Sequence, residues 1–330
     1  MLCGNNQVQN TLISHTTFAI INIMKYLFYI LTVLVTTLYS PPASANILDV
    51  EIEVSNNFPE PGEEVQIKTS RQITSGDFLW IINGKEQTSL QGRNNISITA
   101  GKAGDLTLIQ IVHHNRVVTQ SIIFPIYIDI AIEPNTYIPQ HYQGRSLPSS
   151  NSTIRLTALV DDGSGLDQEY FYVWRMNGQT INNNRGVDRS VEVRTPIASS
   201  VNISLSITKP GTGFYGRRNI SISLEKPKVH FYTHHSLYGT LPFIKENNFQ
   251  MSQGEILIYG APYYLPMEIL SNPDNIRWRV DNRAINNSTS NPLILRYQRS
   301  SNNRSSTVRL NISSITDIIL QISDSVRINN

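Results

Sequence analysis

Apolar and polar residues alternate with a period of two over most of the chain after residue 46. The stretches 201–208 and 308–313 alternate strictly, and 50–54 and 220–224 follow the same rule. In a β-strand this period puts apolar side chains on one face and polar side chains on the other. No apolar run with helical spacing is long enough to predict a helix. The pattern therefore predicts an all-β protein whose sheets pack face to face.

The three tryptophans of the chain share one local setting, a strand that ends in Asn-Gly or a close equivalent. The segments read WIING from Trp80, WRMNG from Trp174 and WRVDN from Trp278. Asn-Gly tolerates positive φ at both central positions and is a strong hairpin signal. The tryptophans recur every ~100 residues, the length of an immunoglobulin-like domain, whose core often holds a Trp on the third strand. The repeat predicts three tandem immunoglobulin-like β-sandwiches with these tryptophans in their structural cores.

Module boundaries follow from strand spacing and from proline positions. Strands recur every ~8–12 residues with Gly, Pro, Asn and Ser between them, as in β-sandwiches. Pro125 and Pro227 mark two joints, which divide the chain into a first module at 46–124, a second at 125–226 and a third at 227–330. Neither joint has the length of a flexible linker, so we expect a stiff array.

The first 45 residues have the pattern of a secretory signal peptide. Lys25 precedes an apolar stretch at 26–35, and small residues follow at 43–45. A positive n-region, a short apolar core and an A-x-A site predict export and cleavage near Ala45. The mature protein is then extracellular or held at the cell surface, and no later apolar stretch reaches membrane length.

Two features of this leader allow other interpretations. Met24 is a natural start, which makes 1–23 an upstream extension. The rival to cleavage is an uncleaved anchor at 18–39, because its length nearly spans a bilayer. Asn22 and Lys25 interrupt that stretch, so the sequence favours cleavage.

Composition excludes several classes of protein. Hydrophobic residues make up 40% and charged residues 16%, which is too apolar for a disordered chain and too polar for a multi-span membrane protein. A net charge of +2 without a basic run argues against nucleic acid as a partner. The single cysteine, Cys3, excludes a disulfide framework and a cysteine-based zinc site. The predicted mature chain can therefore fold in an oxidising compartment without mispairing.

Several segments resemble a known group of proteins. The stretches 137–149, 231–239 and 260–264, together with the Trp-x-x-Asn-Gly units, are similar to a family of uncharacterised exported proteins of candidate-phyla (Patescibacteria-type) bacteria. Members carry a signal peptide followed by tandem Ig-like or PKD-like modules, and the resemblance covers nearly all of 46–330. It implies the fold and an exported location, and it supplies no activity. This chain departs from the family in its Asn- and Ile-rich composition and in the polar run at 233–235.

Tyrosines cluster near proline and glycine in these segments. Exposed aromatic side chains on rigid loops can stack on sugar rings or anchor a protein partner. The alternative is that they fill the joints between modules. Arg145 could clamp a carboxylate with its guanidinium, or only fix its own loop. The candidate partner-contact residues are Tyr137, Tyr142, Arg145, Tyr232, Tyr238, Tyr263 and Tyr264.

A candidate calcium site lies in the second module. Asp161, Asp162 and Asp167 surround two glycines, and carboxylate oxygens on a tight loop suit Ca²⁺. The spacing matches no EF-hand, and the alternative is a solvated connection between strands. Histidine pairs could also offer imidazoles, but neighbouring residues of a strand point to opposite faces. Calcium is thus the one cofactor that the sequence leaves open.

The sequence carries no recognisable catalytic motif. It has no G-x-S-x-G, no H-E-x-x-H, no phosphate-binding loop and no cysteine nucleophile in the mature chain. We therefore expect a non-enzymatic structural spacer or adhesion module whose partner is an envelope or surface protein, reached through edge strands or aromatic contacts. The alternatives are an array of envelope carbohydrate-binding modules, which predicts a row of exposed tyrosines, and an exported enzyme of unrecognised type, which predicts a cleft with paired acidic residues.

Overall fold

Strands make up most of the described chain, which in this computed structural model comprises residues 50–73, 78–164, 170–181, 186–211, 213–244, 248–251, 254–286, 289–299, 304–314 and 321–329. The helical pieces among them are short turns at Thr88–Leu90, Met267–Leu270 and Pro273–Asn275. The expected all-β, immunoglobulin-like fold class is confirmed. Within these ranges no helix has the length and apolar character needed to cross a bilayer. The predicted signal peptide lies outside the described residues.

Seven strands form two antiparallel sheets in the first module. They are β1 (Ile52–Val54), β2 (Glu64–Thr69), β3 (Phe78–Ile82), β4 (Lys85–Glu86), β5 (Asn95–Thr99), β6 (Thr107–His113) and β7 (Arg116–Ile123). One sheet has the order β1-β2-β5 and the other the order β4-β3-β6-β7. The period-two pattern sets the burial, so Val65 and Ile67 of β2 face inward between exposed neighbours. The two inner faces enclose a hydrophobic cluster that includes Trp80.

The second module repeats this arrangement of strands. They are β8 (Tyr127–Pro134), β9 (Thr136–Tyr137), β10 (Thr153–Asp161), β11 (Phe171–Met176), β12 (Gln179–Thr180), β13 (Ser190–Arg194), β14 (Ser200–Lys209) and β15 (Phe214–Ser223). The sheets have the orders β13-β10-β8 and β12-β11-β14-β15, which match the two sheets of the first module strand for strand. β9 belongs to neither and pairs outside the sandwich. Trp174 lies in the cluster between the sheets.

The third module contains the same sandwich with additional edge strands. Its strands are β16 (Lys228–His235), β17 (Gly239–Ile244), β18 (Asn248–Gln250), β19 (Glu255–Tyr263), β20 (Leu265–Pro266), β21 (Ile276–Val280), β22 (Arg283–Ile285), β23 (Ile294–Gln298), β24 (Ser305–Ser313) and β25 (Gln321–Asn329). The sheet orders are β17-β16-β19-β23 and β18-β25-β24-β21-β22. β17 extends the first sheet beyond β16, and β18 pairs in parallel with β25. Trp278 lies in the cluster between them.

The three tryptophans make the same hydrogen bond in each module. Trp80, Trp174 and Trp278 expose 1%, 0% and 2% of their surface. Each indole N–H donates to a backbone carbonyl 13 or 14 residues later in the chain, at 3.0, 3.2 and 2.8 Å respectively. A buried indole without an acceptor would cost free energy, so this bond allows the ring to fill the core.

The turn after each tryptophan strand has positive φ at both central residues. The φ angles are 50° and 77° in the first module, 49° and 84° in the second, and 48° and 68° in the third. The first turn residue in each case is Asn83, Asn177 or Asp281. Its side-chain oxygen accepts a backbone N–H from the neighbouring strand, at 2.8, 3.1 and 2.8 Å. Asp281 and Asn282 therefore reproduce the geometry of Asn-Gly, because Asn and Asp tolerate the left-handed region.

Candidate functional site

A segment of the second module crosses over to the third. β9 pairs antiparallel with β20. The backbone N–H of Tyr264 donates to the carbonyl of Tyr137 at 2.8 Å, and that of Met267 donates to Asn135 at 3.2 Å. By sequence the segment belongs to the second module, yet its side chains pack against the hydrophobic cluster of the third. The partly buried side chains that do so are Tyr137, Ile138, Tyr142 and Leu147.

Aromatic side chains from both modules meet at this crossover, which we call the aromatic joint. Its members are Tyr137, His141, Tyr142, Tyr232, Tyr259, Tyr263 and Tyr264. The hydroxyl oxygens of Tyr137 and Tyr259 are 2.8 Å apart. Those of Tyr142 and Tyr264 are 2.9 Å apart. Each of these hydrogen bonds connects residues that are 122 positions apart in the sequence, so both tie the second module to the third.

Burial and hydroxyl pairing favour the neutral form of Tyr259, Tyr263 and Tyr264. The hydroxyl oxygens of Tyr232 and Tyr263, which expose 2% and 6% of their surface, are 2.6 Å apart. Burial, followed by the hydroxyl bond to its partner, raises the pKa of Tyr259 and of Tyr263. The hydrogen bond with Tyr142, followed by burial, raises the pKa of Tyr264 to about 12. The hydroxyls of Tyr259, Tyr263 and Tyr264 are therefore suited to holding an interface and poorly suited to proton transfer near neutral pH.

His141 contacts two tyrosines of the aromatic joint, Tyr232 and Tyr259. Its ring meets that of Tyr232 edge-on, with centroids 4.6 Å apart. Its Nε2 atom is buried and has no hydrogen-bond partner among the described residues. Burial lowers the pKa of His141, which favours the neutral imidazole. An open cleft of about 620 Å³ lies beside it and is also lined by Tyr142, Lys228 and His230.

Two of the candidate contact residues lie exposed on the surface. Tyr238 is 78% exposed at the turn between β16 and β17, where its ring lies 4.8 Å from that of His235. Leu237 beside it is 81% exposed. Arg145 is exposed and lines a separate cleft of about 460 Å³ that also contains Glu225. The structure thus brings five of the seven candidates into the aromatic joint and leaves Tyr238 and Arg145 outside its seven members.

A second contact, which we call the glycine joint, connects the first and second modules. Gly104 has φ +82° and Gly163 has φ +73°. A Cβ atom on Gly104 would lie 2.7 Å from the backbone oxygen of Asp162, and one on Gly163 would lie 2.5 Å from that of Ala103. The backbone N–H of Gly104 donates to the carbonyl of Pro125 at 2.9 Å. Only residues without a side chain allow the two backbones to approach so closely.

Side chains complete the glycine joint. Phe58 meets Phe214 edge-on with ring centroids 5.0 Å apart, a favourable aromatic geometry. Glu60 of the first module forms an ion pair with Arg218 of the second at 2.8 Å. Both charges are partly exposed, so the ion pair contributes little free energy and mainly orients the contact. The joint therefore rests on the aromatic pair and on the backbone contact.

The loop proposed for calcium forms part of this joint. The carboxylate of Asp162 accepts hydrogen bonds from Ser164, from Tyr170 at 2.7 Å and from Lys209 at 3.1 Å. Burial alone raises the pKa of Asp162, but these hydrogen bonds outweigh it and bring the pKa to about 2. Asp161 accepts the backbone N–H of Gly163 at 2.8 Å. Asp167 lies outside the described residues.

No group of three or more His, Cys, Asp or Glu side chains in the described part of the chain is arranged to hold a metal ion. The oxygens of Asp162 are already used by protein donors. The sequence pattern singled out this loop for its carboxylates, whereas the structure uses its glycine and its buried ion pair at the glycine joint.

Sequence analysis missed several residues of both joints. Tyr259 and His141 in the aromatic joint, and Phe58 and Gly104 in the glycine joint, carried no motif. Their partners are distant in the sequence, so no local spacing connects them. The glycines of the two loops were a partial signal, because glycine is favoured where backbones approach closely.

Solved structures with tandem β-sandwich domains are similar to this chain at low identity. The central fibronectin-III array of RIM-binding protein is 12% identical, with a TM-score of 0.26, over 87% of this chain and 100% of that chain. Three N-terminal domains of the Hoc outer capsid protein of bacteriophage RB49 are 9% identical, with a TM-score of 0.25, over 85% and 97%.

One similar structure holds a sugar. The SGBP-B protein of a Bacteroides ovatus mixed-linkage glucan utilization locus, solved with a mixed-linkage heptasaccharide, is 14% identical, with a TM-score of 0.20, over 61% of this chain and 47% of that chain. Comparison with family models and with curated proteins gives no match.

Proposed function

We propose that the chain is a non-enzymatic, exported protein that acts as a structural spacer and as an adhesion or protein-interaction module at the cell surface or after secretion. The strongest support is that both joints between modules are held by contacts between residues that are distant in the sequence. Tyr137 and Tyr259 bond across one joint, and Gly104 and Gly163 meet at the other. Such joints hold successive sandwiches at set angles, which is what a spacer requires.

The chemistry of the shifted groups supports a role without catalysis. Among the described residues, the groups with large pKa shifts are Asp162 and four tyrosines. The hydroxyl of one of these tyrosines, Tyr170, donates a hydrogen bond to Asp162, and the hydroxyls of the other three are hydrogen-bonded to other tyrosines. A catalytic acid or base needs a pKa near the working pH and access to a substrate. None of these groups combines the two properties, so structural roles account for the shifts.

The alternative of a glycan-binding array that uses tyrosine stacking receives less support. It needs exposed tyrosine faces in a row. Tyr232, Tyr263 and Tyr264 are buried, with their hydroxyls paired inside the aromatic joint. Tyr238 is exposed at a different position, the turn between β16 and β17.

Distances between spin labels test the spacer proposal. Cys3 is changed to Ser, and cysteines replace exposed Lys85, Arg155 and Arg283, one in each module. Pairs of labels across each joint should give narrow distance distributions by double electron–electron resonance. Broad distributions across both joints would contradict a spacer, because the modules would then move independently.

Export is tested on the secreted product. N-terminal sequencing of the protein recovered outside the cell should begin at Asn46. An intact N-terminus with the protein retained in the membrane fraction would favour the uncleaved anchor at 18–39 instead.

A further inference from the structure

The outer face of the second sheet of the third module carries four arginines, which we call the arginine face. Arg277 and Arg279 lie on β21, Arg309 on β24 and Arg327 on β25. All four are exposed, and each alternates with a buried core residue of its strand. Because strand residues of one parity share a face, the four guanidinium groups project from the same side of one sheet.

The register puts two of these charges next to each other. Arg279 is directly opposite Arg309 across the pair β21–β24. Like charges in that position destabilise a sheet, and their Cα atoms are ~4.5–5.5 Å apart. Arg327 lies opposite Thr307, which is two residues from Arg309 on the same face. The fold gains nothing from this arrangement.

The arginine face contains no compensating acid on its own strands. Asp324 is the one acidic residue of β18, β21, β22, β24 and β25, and it lies opposite Leu310, whose side chain is in the core. Among the described residues, no carboxylate forms an ion pair with Arg279, Arg309 or Arg327. The positive charge is therefore available to an external anion.

Apart from Ala284 on β22, which lies opposite Arg279, the other positions of this face are polar. They include Thr307, Asn311, Ser323, Ser325, and Asn248 and Gln250 on the edge strand β18, whose register places them beside Arg327 and Asn329. Hydroxyl and amide groups next to guanidinium groups can bond to the hydroxyls of a sugar, while arginine forks bind its carboxylate or sulfate groups.

The same positions in the other modules differ. The residues on either side of the core tryptophan are Leu79 and Ile81 in the first module, Val173 and Arg175 in the second, and Arg277 and Arg279 in the third. The residues opposite the second member of each pair are Gln110, Ser204 and Arg309. The second module has an arginine at only one of these positions, Arg175, and it faces Ser204, so an arginine facing an arginine here occurs only in the third module.

We infer that the arginine face binds an acidic polysaccharide, with Arg279, Arg309 and Arg327 as its main contacts. The face has no aromatic side chain on which a base could stack, and the chain has a net charge of only +2, which disfavours nucleic acid. It has no large apolar side chain that could enter a membrane or anchor a protein interface. A polysaccharide with repeated anionic groups and many hydroxyls matches the arginines and the neighbouring polar side chains of this face.

Binding of defined polysaccharides to the full-length protein tests the inference. The probes are alginate as a carboxylated glycan, heparin as a sulfated glycan and dextran as an uncharged control. The variant R279Q/R309Q/R327Q should lose at least tenfold in affinity for one of the anionic glycans, and dextran should not bind. Affinity of the unchanged protein should fall steeply as salt is raised.

A matched control separates the face from overall charge. The variant K85Q/R93Q/R116Q also removes three positive charges, but from exposed positions of the first module, and it should bind like the unchanged protein. The variant R279K/R309K/R327K keeps the charge but loses the forks, and should bind more weakly than the unchanged protein. Equal losses in the two glutamine variants would overturn the inference.

Single-stranded DNA and vesicles of anionic phospholipid serve as competing ligands. Tighter binding of either one than of both anionic glycans, or no glycan binding at all, would overturn the inference. Thermal melting checks that the glutamine variant is folded, and it should be at least as stable as the unchanged protein because the Arg279–Arg309 repulsion is gone. The inference goes beyond the spacer proposal. Spin-label distances measured in R279Q/R309Q/R327Q show whether the joints between modules are intact when glycan binding is lost, so failure of the two proposals can be told apart.

Discussion

Gly104 of the first module lies against Gly163 of the second, and a Cβ atom on either residue would come within 2.7 Å of the other's Cα. Two loops, one of which the sequence suggests as a calcium site, thus form a contact that leaves no room for a side chain at either glycine. The contact turns a short connection at Pro125 into a closed joint, and it accounts for glycine at both positions.

Changing Gly104 to Ala should loosen the glycine joint. The new methyl group would collide with backbone atoms of the second module, which cannot rotate away as a side chain could. The expected results are a broader label distance between the first and second modules and a loss of stability of about 2 kcal/mol or more. Urea unfolding and the spin-label pair at positions 85 and 155 measure the two effects.

The control for this change is Gly62→Ala. Gly62 has φ +81°, nearly that of Gly104, but nothing lies within 4 Å of the added atom. It should show only the cost of left-handed backbone, about 1–2 kcal/mol, with an unchanged label distance. Identical results for both variants would mean that the contact between the modules does not matter.

Changing Tyr137 to Phe should weaken the aromatic joint. The hydroxyl of Tyr259, which is buried, would lose its partner across the modules. A buried group left without a partner costs about 1–3 kcal/mol, which should appear as a lower midpoint of urea unfolding. Tyr238→Phe removes a hydroxyl from a ring that is 78% exposed and should leave the midpoint unchanged. A loss of the same size in both variants would rule out the proposed role of the Tyr137–Tyr259 bond.

Changing Asn177 to Ala should destabilise the second module. The variant loses the bond to the backbone N–H of Asn202 and places Ala at φ 49°. The expected cost is about 2 kcal/mol from the two effects together. Asn177→Asp keeps the acceptor that Asp281 provides in the third module and should cost much less. The two variants can be compared by thermal melting, and equal losses would contradict the role of the side-chain acceptor at position 177.

Asp162 should make stability depend on pH in the acid range. Its pKa in the folded protein is about 2, below the ordinary value of 3.8. The ionised form therefore stabilises the fold above pH 4, and this contribution of about 2 kcal/mol is lost as the pH falls from 4 to 2. Asp162→Asn should be less stable at pH 7 and should have a flatter profile between pH 4 and pH 2. The measurement is the unfolding midpoint of both proteins across that pH range. If Asp162→Asn loses stability as steeply as the unchanged protein, Asp162 has no such role.

The sequence alone determined the strands, the cores and the hairpin turns. Alternation in β2 and β14 specified which side chains face inward, because the direction of a side chain in a strand depends only on parity. The three tryptophan segments indicated three sandwiches, since a buried indole followed by Asn-Gly needs only local geometry. Asp281 and Asn282 form the same turn without glycine, as the similarity of Asp-Asn to Asn-Gly predicted.

Only the tertiary structure decided what the conspicuous residues do. Tyr137 and Tyr259 are 122 residues apart, and no period in the sequence connects them. The carboxylate of Asp162 suggested calcium until the fold supplied Tyr170 and Lys209 as its donors. The pairing of Arg279 with Arg309 follows from the register of β21 and β24, which depends on how whole sheets align. Local pattern sets which way a side chain points, and packing between distant segments sets what it meets.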